Sequence, residues 1–318
     1  MSLYIDRKDI HIKLDGNALA FYANGKREGM APIKPLTKVV IVGNIVFEAS
    51  VLCKLADSGI SVLFLSGRSH RYCGILHGKL HNNGILRVSQ YKISLSGFPV
   101  IFSREIIKKK VSSQFLFLKE LLEKRSDIRF ELTHSISTIE KILSKLTGSN
   151  SIDIDSLRGY EGSAANVYFS AFTAAFPPSL NFLGREKRPP KDPVNALLSF
   201  TYTLLHFEAV REIEVIGLDP VIGFYHQFDY GRESLACDFI EPYRPLADKF
   251  VWGLFKERVF TSRDFSSDEE RTGCYLKKEA RKYFYELYEK WIEDIRKQLR
   301  SQAEELARRI MNGQDSLP

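Results

Sequence analysis

Residues 223 to 245 read GFYHQFDYGRESLACDFIEPYRP, a stretch that holds one histidine, His226, the carboxylates Asp238 and Glu241 three positions apart, and the arginines Arg232 and Arg244. Carboxylates with a single imidazole suit Mg²⁺ or Mn²⁺, which prefer oxygen ligands and tolerate a nitrogen, whereas zinc draws on cysteines or several histidines. The natural substrate of such a cation is a phosphate, because a divalent ion polarises a phosphoryl oxygen, lowers the pKa of an attacking hydroxyl and neutralises charge on the leaving oxygen. Arg232 and Arg244 then act as phosphate clamps, or else pair with acids as structural arginines.

These groups need elements to hold them. SLACDFIEPYRP predicts a helix from Ser234, with the serine as N-cap and the pattern disturbed at Pro242. Asp238 and Glu241 share a face of that helix. The residue before a proline resists helical geometry, so Glu241 is expected at a break, projecting into a cleft. His226 precedes the helix in an aromatic loop.

A further acid lies upstream. In SLRGYEGSAANVYFSAFTAAF, Leu157, Ala165, Tyr168 and Phe172 form one helical stripe and Glu161 falls within it. A buried carboxylate is costly unless it meets a cation, a metal or a hydrogen-bonded partner. Arg158 is one candidate for a plain ion pair, while Gly159 and Gly162 leave room for a ligand. In KDPVNALLSFTYTLLHF, Asp192 and Pro193 give strong helix-start signals. Asn195, Ser199, Tyr202 and His206 make a polar stripe on that otherwise apolar helix, expected as a cleft wall or as a set of groups orienting metal ligands. The preceding loop offers Arg185, Lys187, Arg188 and Lys191 to a DNA backbone. His70, Cys73, His77 and His81 lack the paired spacing of a zinc finger.

A chain of 318 residues with 44% apolar content exceeds what one core usually supports, so two domains are expected. Short alternating runs up to about residue 80, with a turn at Asn24-Gly25, indicate strands; KVVIVGN and SVLFLSG read as buried strands with a helix between them. Beyond residue 85 the apolar spacing becomes helical and stays so. The expected fold is α+β and multidomain: a β-rich, sandwich-like domain over 1–80, a linker over 81–90 and a larger all-α catalytic domain over 91–318. No apolar run is long enough to span a membrane, and no signal pattern opens the chain. The scattered Cys53, Cys73, Cys237 and Cys274 fit a reducing cytoplasm. Most of the net charge of +7 falls in the first 85 residues, so a nucleic-acid surface on the helical part must be a local patch.

RGYEGSAANVYF, RPPKDPVNALLSFTYTLL, GLDPVIGFYHQFDYGRESLACDFIEPYRPLAD and GCYLKKEARKYF, in that order, resemble the CRISPR-associated adaptation integrases, the "Cas-one" family. VVIVGN and GISVLFLSG are similar to the family's N-terminal domain. The resemblance implies a homodimer formed through the β domain and a Mg²⁺ or Mn²⁺ site of Glu161, His226 and Glu241. Asp238 is implied as a supporting acid or alternative ligand. It further implies that the 3′-hydroxyl of a short double-stranded DNA fragment attacks a CRISPR repeat phosphodiester. The expected assembly includes a small second adaptation protein, "Cas-two", bridging integrase dimers, and hydrolysis of DNA is expected as the same chemistry with water. The competing expectations are a structure-selective metal-dependent nuclease outside CRISPR and a non-catalytic DNA-binding scaffold.

Overall fold

The computed structural model describes residues 1–67, 69–78, 81, 83–148, 152–186, 189–226, 228–267 and 273–313. The chain divides into two compact units, one of residues 1–82 with Arg281–Lys290 and the other of Asn83–Ala280 with the remainder.

In the first unit the order is β1 (Ser2–Ile5), β2 (Ile10–Asp15), β3 (Ala18–Ala23), β4 (Lys26–Pro32), β5 (Lys38–Val42), β6 (Val46–Phe47), α1 (Ala49–Asp57), β7 (Ser61–Leu65) and β8 (Tyr72–Leu76). Two four-stranded sheets result, ordered β1-β5-β7-β8 and β4-β3-β2-β6. Parallel partners β1 and β7 flank β5. That central position explains why all of KVVIV is buried. Asn24 and Gly25 join β3 to β4 with positive φ at both residues, the backbone a tight two-residue hairpin requires. Ile12, Val39, Val51, Leu55 and Val62 are fully buried in the core of this unit. The helix expected between the buried strands is shorter than its spacing suggests, because Val46–Phe47 pairs with β2 and removes the first residues.

The second unit contains α2 (Gly84–Ile93), α3 (Phe98–Lys124), α4 (Arg129–Gly148), α5 (Ile154–Ala174), α6 (Pro193–Ile216), α7 (Ser234–Ile240), α8 (Arg244–Lys256), β9 (Phe265–Ser267), β10 (Cys274–Leu276) and most of α9 (Lys278–Met311). The expected linker is largely helical: Asn83 accepts a hydrogen bond from the Leu86 N–H at 3.1 Å and caps α2. Gln90 on α2 donates to the carbonyls of Asp219 and Ile222 and accepts from Asp219 N–H. Among the described residues, the strands of this unit are the antiparallel pair β9–β10.

One long helix serves both units. Residues 281–290 of α9 cluster with the strands: Arg281 donates to Asp6 at 2.9 Å, and Tyr285 stacks on Tyr4 with ring centroids 4.2 Å apart. Sequence spacing puts Tyr283 and Leu287 on the apolar stripe. The buried positions are instead Arg281, Phe284, Tyr285 and Tyr288, because an aromatic-rich run carries no single helical phase. No helix among the described residues is long and apolar enough to cross a membrane.

Candidate active site

Helix α5 supplies Glu161. Leu157, Ala164, Tyr168, Ala171 and Phe172 form its buried face, which falls on Ala164 rather than the expected Ala165. Glu161 lies at the edge of that face, with its side chain 24% exposed. Arg158 is not its partner, since it pairs with Asp155 at 3.0 Å. Glu161 Oε1 instead accepts from the ammonium of Lys110 on α3.

The Glu241 carboxylate comes from the junction of two helices, where its backbone keeps helical dihedrals, φ −54° and ψ −45°, against the expectation for a residue before proline. Pro242 has no N–H to continue α7, and a 3₁₀ turn, Glu241–Tyr243, intervenes before α8 begins. Glu241 is nearly fully buried. Its Oε1 accepts from Arg244 Nε at 2.7 Å, and Lys110 Nζ stands 2.5 Å from Oε2. Burial opposes the charged carboxylate, yet Arg244 and Lys110 outweigh burial and hold Glu241 well below the usual carboxylate range. Burial likewise opposes the charge on Lys110, and Glu241 and Glu161 together still raise its pKa.

His226 is fixed by Asp238. Asp238 is fully buried on α7 and accepts from the backbone N–H groups of Phe224, Tyr225 and His226 at 2.7, 3.0 and 3.0 Å. It also accepts from His226 Nδ1 at 2.7 Å. This orientation turns Nε2 toward Glu241, 3.9 Å from its Oε1. Gly223 permits the wrapping of the loop around Asp238: a Cβ there would lie 2.6 Å from the Ser234 carbonyl carbon and 2.9 Å from Asp238 Oδ2. With these donors in place, Asp238 orients the histidine rather than facing the cleft. Ser234 is not the N-cap of α7; Glu233 occupies that position without a side-chain cap and bonds His206 Nε2 at 3.2 Å instead.

Glu161, His226 and Glu241 line one cleft of about 270 Å³ together with Arg158, Tyr225 and Arg232. Arg232 is exposed and lies 3.4 Å from Asp229, so its guanidinium remains at the surface of the cleft. Arg244 points elsewhere. It pairs with Glu241 and lies 4.9 Å from the ring centroid of Tyr202, the acid-pairing alternative expected for it. Burial and then the charges of Glu161 and Glu241 push the Tyr225 hydroxyl far up, so it stays protonated.

The polar stripe of α6 turns into the protein. Asn195 Oδ1 accepts from Arg185 at 2.8 Å, and Ser199 accepts from the same guanidinium at 3.1 Å. Arg185 also lies over the Tyr202 ring, 5.3 Å from its centroid. Arg185 is therefore directed toward partners that the sequence supplies ten and fourteen positions later. Tyr202 donates to Asp248, which also accepts from Tyr168 at 2.8 Å. Tyr202 also lies under the Arg244 guanidinium that bonds Glu241. Lys187 and Arg188 lie outside the described residues.

Sequence spacing had missed Lys110. The available signal is a lysine in the stripe of Ile106, Ile107, Val111 and Gln114, all buried on α3. Arg158 and Tyr225 were likewise not singled out as cleft residues.

The donors fit a hard divalent cation: two carboxylates, one imidazole nitrogen oriented by a carboxylate, and a buried Glu241 Oε2 that receives no well-angled hydrogen bond despite the nearby ammonium. As the side chains stand, among the described residues no three His, Cys, Asp or Glu groups enclose a cation. The Lys110 ammonium, bound to both glutamates, accounts for their present positions.

Residues 3–290 match the family described as "CRISPR associated protein Cas1". A CRISPR-associated endonuclease Cas1 of Thermodesulfovibrio yellowstonii is 53% identical over 314 residues, covering 99% of this chain and 98% of the relative. Among solved structures, a casposase bound to integration product superposes with TM-score 0.83 at 19% identity, covering 99% of this chain and 92% of the other, which is a likeness of fold. A chain of a Cas6-RT-Cas1–Cas2 complex gives TM-score 0.81 at 26% identity, covering 99% of this chain and 35% of that one. The β-rich unit, the helical unit and this cleft are thus those of a protein that belongs to the Cas1 family of CRISPR-associated endonucleases.

Proposed function

We propose that the protein is a Mg²⁺- or Mn²⁺-dependent DNA integrase and endonuclease of CRISPR adaptation, joining the 3′-hydroxyl of a spacer fragment to a repeat phosphodiester. The observation that carries this reading is the convergence of Glu161, His226 and Glu241, from a helix, a loop and a helix junction, on one arginine-rimmed cleft. Glu161, Glu241 and His226 Nε2 would hold the cation. When bound, it would supply polarisation of the phosphoryl oxygen and activation of the attacking hydroxyl.

The protein's own residues have separate tasks. Asp238 keeps the Nδ1 proton on His226 and thereby directs Nε2 to the cleft. Arg158 and Arg232 meet the phosphate at the cleft wall, where a guanidinium can stabilise charge that develops on the equatorial oxygens. Arg244 and Lys110 keep Glu241 ionised and fixed. Glu161 stays in place through Lys110.

Double-stranded DNA is the proposed substrate, acted on in the cytoplasm. The likeness to a Cas1–Cas2 assembly supports a small Cas2-type partner, and the β-rich unit is proposed as the homodimer contact. The test combines the protein with Mn²⁺, a 3′-hydroxyl fragment and a repeat-bearing plasmid. Joined product is expected, and it disappears with Glu161→Ala or His226→Ala. Cleavage without joining would replace this reading with a plain nuclease. DNA binding without either reaction would make the protein a scaffold.

A further inference from the structure

We propose that Lys110 is a positioning residue that acts as the resting counter-cation of the site: its ammonium holds Glu161 and Glu241 together in the metal-free protein, and its charge limits how tightly a divalent cation binds. The inference rests on reading Glu161, His226 and Glu241 as metal ligands.

Lys110 projects from the buried stripe of α3 and its side chain is 11% exposed. It binds Glu161 Oε1 and approaches Glu241 Oε2 to 2.5 Å, so one ammonium serves carboxylates from two different elements. The cleft surface is made by those carboxylates and not by Lys110, which therefore reaches them from the protein side. Two neighbouring carboxylates repel each other where water is scarce, and the ammonium cancels that repulsion. A lysine has only three N–H donors, too few for the lone pairs of two carboxylates, so acceptor capacity is left on the acids, as the buried Glu241 Oε2 without a hydrogen bond shows. A divalent ion using that capacity gains from both acids but is opposed by the nearby positive charge. The site is thereby held in shape before metal arrives, at the expense of affinity once it does.

Calorimetric titration with MnCl₂ and thermal unfolding in chelator test this directly. Lys110→Met is expected to melt lower than wild type without metal, to bind Mn²⁺ with a Kd about tenfold lower, and to gain more in melting temperature from Mn²⁺. Lys110→Arg keeps the charge and is expected to return the Kd to the wild-type value. A lysine with a purely structural role would lower the melting temperature without tightening Mn²⁺. If Lys110→Met is unfolded in chelator, Mn²⁺ is expected to restore folding where K⁺ at the same ionic strength does not. A Kd that is unchanged or weaker, a Lys110→Arg protein that behaves like Lys110→Met, or an unfolded Lys110→Met that Mn²⁺ fails to restore would overturn the proposal. Wild type that binds no Mn²⁺ overturns the proposed function itself, whereas wild type that binds it with Lys110→Met unchanged overturns this inference alone.

Discussion

Helix α6 carries a pair of buried acids, Glu208 and Glu212, and their surroundings contrast with those of Glu161 and Glu241. Arg296 on α9 donates to both oxygens of Glu208, at 2.9 and 2.8 Å. Arg300 and Arg211 each lie 2.5 Å from Glu212. Both side chains are at most 2% exposed. A guanidinium fork matches a carboxylate edge, so three arginines leave these two acids little to offer a ligand. Glu161 and Glu241 share one lysine, Glu241 has Arg244 in addition, and both open onto a cleft. A buried acid thus becomes a candidate for chemistry through incomplete satisfaction rather than through burial.

The largest effect that should separate the two pairs is catalytic. Glu161→Ala is expected to lower strand joining by about 10²- to 10³-fold, the order seen when a preorganised charge-stabilising group is removed, while the protein stays folded. Glu208→Ala should do the reverse. It leaves Arg296 without its buried partner and should cost about 2–3 kcal/mol of stability in urea unfolding, at the low end for a broken buried pair because Arg296 is 22% exposed. Joining per folded molecule should persist. Equal loss of joining in the two variants would dissolve the distinction.

A smaller effect probes the histidine. Asp238→Asn keeps the shape but replaces one acceptor oxygen by an amide donor facing N–H groups. Mn²⁺ affinity is expected to fall roughly 10- to 100-fold, the usual consequence of removing a carboxylate behind a metal-bound histidine. Unchanged Mn²⁺ binding by calorimetry would show that Nε2 of His226 is not a ligand.

Asp248 extends the comparison to an acid whose direct partners are two tyrosine hydroxyls. Burial raises its pKa from 3.8 to about 6, against the pull of Tyr202 and Tyr168. The folded protein therefore retains a proton that the unfolded chain has released between pH 3.8 and about 6, and this group's contribution to stability falls as pH rises through that window. Asp248→Asn should remove the slope, a change of about 2 kcal/mol between pH 4 and pH 7. Urea unfolding at several pH values measures it, and an identical slope in both proteins would contradict the assignment.

The lessons for reading the sequence follow the same division. Glu161 and Glu241 are legible because each breaks a local pattern, one by placing a carboxylate on an apolar stripe and the other by preceding Pro242. His226 is legible by its place in the same short stretch as two acids, whereas its hydrogen bond to Asp238 is visible only in the fold. The two-unit plan is legible in the change from alternating to helical spacing. Lys110 is obscured by its neighbours Lys108 and Lys109, since a lysine run reads as a solvated face until packing shows which member is buried. Arg185 and Arg244 are ambiguous for another reason. An arginine bound for DNA and one bound for Glu241 or Asn195 have the same local sequence, and only tertiary contact separates them. The return of residues 281–290 to the β-rich unit is likewise non-local.

The central claim is that Glu161, His226 and Glu241 jointly hold the divalent cation that the reaction uses. Anomalous diffraction from crystals of the protein soaked in MnCl₂ tests it most directly. One manganese peak in contact with carboxylate oxygens of Glu161 and Glu241 and with Nε2 of His226 is the predicted result. A peak elsewhere, or none at that cleft while the crystals take up manganese, would contradict it.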